Sequence, residues 1–362
     1  MADVDQIVSY GGDPAIIATR TEIERVQTYL SSAANLLLGE LEVTDFLNQP
    51  LKRVGLAMEL PAVQQRIDYL LQALRTASNE YFDGEALIAK ELTDIGLISA
   101  PVIAAGLLGV ANDAGLLREH LNKVQVQEVK KFERFAPDSI AQLAQRTRLT
   151  TSANYGGLST VTIERFGGTY LVYVPGTQTW NPISGANPLD FTSNMQAMLG
   201  PGLAASEVGV QMALTKAGAK PNSKLILIGH SQGGMVAGNI ARRDPRVKAM
   251  VTFGAPIGQL AGELKIPIVA LEHSNDIVPK LGLKANPMGQ NISTVVREVP
   301  ISKPIDALVE AHDISNYEKT AQLADESQEF GLKRVREMVL DAIGAEGAGQ
   351  KGQVSVFEMR RN

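Results

Sequence analysis

The chain has no cysteine, one tryptophan and four histidines in 362 residues. Without cysteine there is no disulfide, no thiolate metal site and no thiol nucleophile. The histidines are His120, His230, His273 and His312, and none belongs to an H-E-x-x-H pair. A zinc hydrolase is therefore not expected, and no metal is assigned. No long basic run occurs and the net charge is -5, which argues against a nucleic-acid partner. The most apolar stretch, Leu97 to Ala111, is interrupted by Pro101, Gly106 and Gly109. It falls short of the ~20 residues that span a bilayer, so no transmembrane segment is expected. Met1 to Gln6 is acidic and has no apolar core behind it, unlike a secretory signal peptide. The expectation is a cytoplasmic protein, with leaderless export as the alternative.

What is present divides into three parts. Residues 1–150 read as an all-α domain. Asp13-Pro14 is a helix start, and Ile16, Ile23, Val26, Leu30, Ala33 and Leu37 then recur at helical spacing. Val63, Ile67, Leu70, Leu74, Ala77 and Tyr81 form a second stripe after Pro61. Such a pair could bind a partner helix or a second copy of the chain. More helix is expected at Gly84 to Leu92, around Pro101 to Lys123, and at Asp138 to Arg146.

Residues 151–345 change character. Thr160 to Phe166, Gly167-Gly168 and Thr169 to Val174 predict a β-hairpin at one edge of a sheet. Strands are expected at Leu225 to Ile228, Val247 to Phe253, Pro267 to Leu271 and Thr294 to Val299. Helices are expected at Ser206 to Ala217 and Met235 to Arg243, then from Ser315 to Ile343 with a break near Gly331. That alternation predicts an α/β fold with a mostly parallel, doubly wound sheet. Residues 346–362 read as a Gly-rich tail with a terminal strand at Val354 to Glu358. Gly347, Gly349 and Gly352 spell G-x-G-x-x-G but follow a helix, the wrong context for a dinucleotide. No cofactor is assigned.

The segment Gly229-His230-Ser231-Gln232-Gly233-Gly234 carries the chemistry. It places G-x-S-x-G between a predicted strand and a predicted helix, a turn that exposes Ser231 as a nucleophile. The backbone N–H of Gln232 lies at the helix start, where an oxyanion can be held. A second donor is expected from Thr177, in Pro175-Gly176-Thr177 after the hairpin. Sites form at the carboxyl ends of parallel strands. The order nucleophile, acid, base then selects Asp276 and His312, with Asp306 and Asp313 as reserve acids. His230 is expected beside the elbow and His273 at a strand end lining the cleft. Trp180 is expected in a pocket wall or in the core.

These residues resemble the α/β-hydrolase superfamily, and most closely the class 3 (fungal-type) lipases. The likeness rests on Gly229 to Gly234, on Val251-Thr252-Phe253-Gly254-Ala255-Pro256 and on Asn275-Asp276-Ile277-Val278-Pro279. It covers roughly Thr160 to Leu323. It implies a Ser231–Asp276–His312 triad acting on a small-molecule or lipid ester. Gln232 replaces the family's usual leucine, and the oxyanion loop is Pro-Gly-Thr where Arg-Gly-Thr is usual. No lid helix is recognisable, and Ile257 to Lys265 is too short for an inserted cap. The helical part loosely resembles the hairpin proteins exported by actinobacterial type VII systems, and Tyr81-Phe82-Asp83-Gly84-Glu85 fits their Y-x-x-x-[DE] signal. The expected function is serine esterase. The alternatives are a thioesterase or peptidase using the same triad, and a helical interaction or secretion-associated protein with a secondary hydrolase domain.

Overall fold

The computed structural model describes residues 7–12, 124–179, 185–190, 193, 197, 204–280, 282, 284–300, 307–344, 349 and 351–361, all of which belong to one compact unit. The two apolar stripes, the helices expected at 84–92 and 101–123, the Tyr81 to Glu85 motif and Trp180 lie outside the described residues.

The described residues build a nine-stranded sheet. Its strands are β1 (Ile7–Gly11), β2 (Val124–Phe135), β3 (Thr160–Phe166), β4 (Thr169–Val174), β5 (Lys224–His230), β6 (Val247–Phe253), β7 (Ile268–His273), β8 (Ile292–Arg297) and β9 (Lys351–Arg361). They lie in the order β1-β8-β7-β6-β5-β4-β3-β9-β2. The run from β4 to β8 is parallel. The pairs β1–β8, β3–β4, β3–β9 and β2–β9 are antiparallel. The sheet is thus mixed rather than mostly parallel.

Helices cover both faces. They are α1 (Ile140–Thr150), α2 (Ala205–Lys216), α3 (Gln232–Arg243), α4 (Gly258–Ala261), α5 (Ile277–Lys280), α6 (Ala307–His312), α7 (Ile314–Glu326) and α8 (Phe330–Ile343). Successive strand residues face opposite layers. Leu225 and Leu227 of β5 join α2 and α3 in one core, while Ile226 and Ile228 join α1, α7 and α8 in the other. Burial on both faces is why this strand is an uninterrupted apolar run. No helix of the described residues is long and apolar enough to cross a membrane.

Two expectations need correction. The stretch to residue 150 was read as helical, yet residues 7–11 and 124–135 are strands of the same sheet. In β2 only Val124 and Val126 are buried; Phe132 is half-buried, and the rest is charged, polar or exposed. An outer strand with little core to face leaves no apolar alternation to read. Residues 346–362 are not simply a tail, because β9 fills the place between β3 and β2. The hairpin β3–β4 has the expected bounds, but β3 is consequently interior.

Buried charges fasten these outer elements. Glu164 on β3 accepts from Arg146 of α1 at 2.5 Å and from the Tyr173 hydroxyl of β4 at 3.1 Å. The start of α1 is held twice. Ser139 accepts from Gln142 N–H at 3.3 Å, and the Asp325 carboxylate of α7 accepts from Ile140 and Ala141 N–H at 3.0 and 2.8 Å. At the end of β9, Arg361 donates to both oxygens of buried Asp190 at 2.6 and 2.9 Å, and to Ser193 Oγ at 3.0 Å. Removing one partner of such a pair strands the other charge in the interior. Arg361→Ala should therefore lower the urea-unfolding free energy by about 3 kcal/mol. A loss below about 1 kcal/mol would show that Asp190 rehydrates without consequence.

Candidate active site

The turn between β5 and α3 carries Ser231 at φ 54° and ψ −125°, a left-handed conformation that side chains other than glycine avoid. The backbone N–H of Ser231 donates to Phe253 O on β6 at 2.9 Å, and Gly234 N–H donates to Ser231 O at 3.0 Å. The turn is pressed against β4. A methyl group at Gly233 would collide with the carbonyl oxygens of Val174 and Pro175. Close approach of the backbone at the end of β4, rather than turn flexibility, therefore requires glycine here. Gly176 is confined from the other side, since a Cβ there would lie 2.9 Å from Ser231 Cβ and 3.2 Å from His230 Nδ1. The loop after β4 and the elbow thus bracket one spot.

Asp276 follows β7 and is fully buried. Its Oδ2 accepts from His312 Nδ1 at 2.6 Å and from the Tyr317 hydroxyl at 2.7 Å. Its Oδ1 accepts from Val278 N–H at 2.9 Å. Burial pushes this carboxyl up, but the His312 bond and charge, the Tyr317 hydroxyl and the Val278 N–H outweigh it. The group is held below its ordinary value. Behind it, burial and the Asp276 charge push Glu272 up to about 7, and the Asn286 amide donates to it at 2.7 Å.

His312 ends α6. Donation from Nδ1 to Asp276 leaves the lone pair on Nε2, which is buried and has no hydrogen-bond partner among the described residues. Ser231 and His312 line one cleft of about 580 Å³, together with His230, Gly176, Thr177 and Asp313. No hydrogen bond joins Ser231 Oγ to His312 Nε2, a separation common in catalytic sites without substrate.

His230 and His273 are built into the frame. The His230 ring stacks on His312 with centroids 4.8 Å apart, and its Nε2 donates to the His312 carbonyl at 3.0 Å. Burial, reinforced by His312, pushes His230 down to about 3. His273 was expected to line the cleft. Instead it is 1% exposed and stacks on the Tyr317 ring at 3.7 Å. Its Nδ1 donates to Ala311 O at 2.6 Å, and its Nε2 faces the Thr320 hydroxyl at 2.8 Å. Burial pushes it down to about 4.

The structure therefore brings Ser231, His312, His230 and Thr177 together, with Asp276 directly behind His312. Gln232 contributes differently from a cleft-lining side chain. Its amide is buried, while its backbone N–H, at the first position of α3, has no acceptor within the helix. Asp313 caps α7 through Ser315 N–H at 2.8 Å. Two features had no sequence signal. Tyr317 reaches Asp276 only because α7 turns back over β7. Thr147, Arg148 and Thr151 of α1 and its following turn form a cleft wall, although Thr147 and Arg148 lie in the stretch expected to belong to a separate domain.

The two framing histidines give a direct check. In an NMR pH titration of ring resonances, His230 should titrate near 3 and His273 near 4. A normal midpoint for either, about 6.5, would mean that its ring is solvated and not locked in these contacts.

No protein-family model matches the chain, and no curated protein is significantly similar to it.

Proposed function

We propose that the protein is a serine hydrolase of carboxylic esters, built on an α/β-hydrolase-type sheet and resembling class 3 lipases. One observation carries this reading. His312 is fixed by Asp276 through Nδ1, and its other nitrogen is left unpartnered in the cleft that holds Ser231 on a strained strand-to-helix turn. The order of the three along the chain, with nucleophile after β5, acid after β7 and base after β8, is that of the superfamily.

In the proposed reaction Ser231 Oγ attacks the acyl carbon while His312 Nε2 takes the hydroxyl proton. Negative charge moves to the carbonyl oxygen, which accepts from the backbone N–H groups of Gln232 and Thr177. The C–O bond to the alcohol then breaks, and His312 returns the proton to the departing oxygen. Water repeats the sequence on the acyl-enzyme, releasing the acid and restoring Ser231. Asp276 keeps the reactive tautomer of His312 and stabilises its cationic form. Tyr317, acting through Asp276, is a positioning residue. Each oxyanion donor supplies about 3–4 kcal/mol of transition-state stabilisation in comparable sites.

A fluorophosphonate probe should label the wild type and leave Ser231→Ala unlabelled. Ester turnover should fall roughly 10⁵- to 10⁶-fold in that variant, and about 10⁴-fold in Asp276→Asn, where the wrong His312 tautomer is favoured. Labelling of Ser231→Ala at the wild-type rate would place the nucleophile elsewhere.

A further inference from the structure

Resting on the esterase reading, we infer that the cleft selects esters whose acyl chain ends in a carboxylate, and that Arg148 binds it. Among the cleft-lining residues the charged side chains other than histidine are Arg148 and Asp313. Asp313 is occupied at the start of α7, where its Oδ1 accepts from both the N–H and the hydroxyl of Ser315. Arg148 is engaged differently. Its Nε donates to Glu318 Oε2 at 2.8 Å, and its terminal nitrogens have no partner among the described residues. A guanidinium anchored through Nε holds its plane while its outer edge stays open. That edge presents two parallel N–H groups, the geometry a carboxylate accepts bidentately.

The two threonine hydroxyls beside Arg148 are engaged elsewhere. The Thr147 hydroxyl donates to Leu143 O at 2.8 Å, and that of Thr151 donates to Arg148 O at 3.3 Å. Both are turned back on their own helix. A cation in the last turn of α1 is favourable in itself, but that role does not require it to line a cleft, as Arg148 does. Leu158, 62% exposed at the rim, and Ile314 supply apolar contact for methylenes between the scissile carbonyl and the anion. A cleft of about 580 Å³ is of the size that holds small-molecule ligands. The preferred substrate is thus a medium-length acyl ester with a charged end, not a long-chain lipid ester.

The test compares para-nitrophenyl hydrogen adipate with para-nitrophenyl hexanoate. These have equal chain length and differ in a terminal carboxylate against a methyl. At low ionic strength kcat/KM should favour the adipate by about 10-fold, mostly through KM, the scale of one charge-assisted pair. Arg148→Gln should bring the ratio close to one, with Arg148→Lys between them. Should these variants not fold, the wild type decides alone. A ratio that falls as salt is added supports the inference, and a salt-insensitive ratio overturns it. A wild-type ratio at or below one also overturns it, as does a ratio unchanged by Arg148→Gln. Turnover of the hexanoate, and its loss in Ser231→Ala, reports on the nucleophile separately. Ser231-dependent turnover without adipate preference removes only the carboxylate inference. Turnover of both esters that is independent of Ser231 removes the parent reading and this one with it.

Discussion

The 2.6 Å bond between Asp276 and His312 is the constraint around which the rest of the site is arranged. It joins the loop after β7 to the end of α6 in the interior, where a carboxylate is tolerated only with a full set of donors. Val278 and Tyr317 complete that set. Tyr317 in turn is fixed by stacking on His273, which is anchored to Ala311 and Thr320. The chain of contacts leads from β7 through α7 and back to the residue that precedes His312. Each member holds the next, so the orientation of the His312 ring is over-determined. The burial that pushes His230 and His273 down belongs to the same design, because a cation on either ring would compete with His312 for Asp276.

The elbow meets this cluster from the opposite side. Backbone packing among β4, β5 and α3 sets its position, with no reliance on side-chain hydrogen bonds. A serine in a left-handed conformation is costly by roughly 1–3 kcal/mol. That cost is met by the surrounding sheet, whose two cores bury β5 on both faces. The fold therefore supplies two rigid halves, one of backbone and one of buried side chains. Ser231 and His312 line the cleft between these halves.

Much of the fold was legible because its central strands are buried on both faces. β3, β4 and β6 have the expected bounds, and β5, β7 and β8 differ by a few residues at their ends. α7 and α8 separate at 327–329, just before the Gly331 break. The strand-to-helix turn at Ser231 and the positions of Asp276 and His312 past later strands were legible for a related reason. Steric limits at Gly233 and the sequence of loops past parallel strands leave a mark in the chain itself. β2 and β9 were not legible in that way. β2 carries Lys130, Lys131, Glu133 and Arg134 where a core strand would carry apolar residues, and β9 follows a Gly-rich stretch. Tyr317 and Arg148 escaped as well. Their surroundings are set by which elements pack together, and local sequence does not encode that.

The position of β9 has a consequence for how the molecule is made. Among the described strands β2 pairs with β9 alone, and that partner is translated much later. Until then β2 has no neighbour in the sheet and β3 presents an open edge, the kind of exposed strand on which chains aggregate. Lys130, Lys131, Glu133 and Arg134 along β2 are residues of the kind that keeps an unpaired strand from aggregating. Such long-range pairing slows folding. The central parallel strands, with the elbow among them, can close before the outer strands are fastened by Arg361 and Asp190.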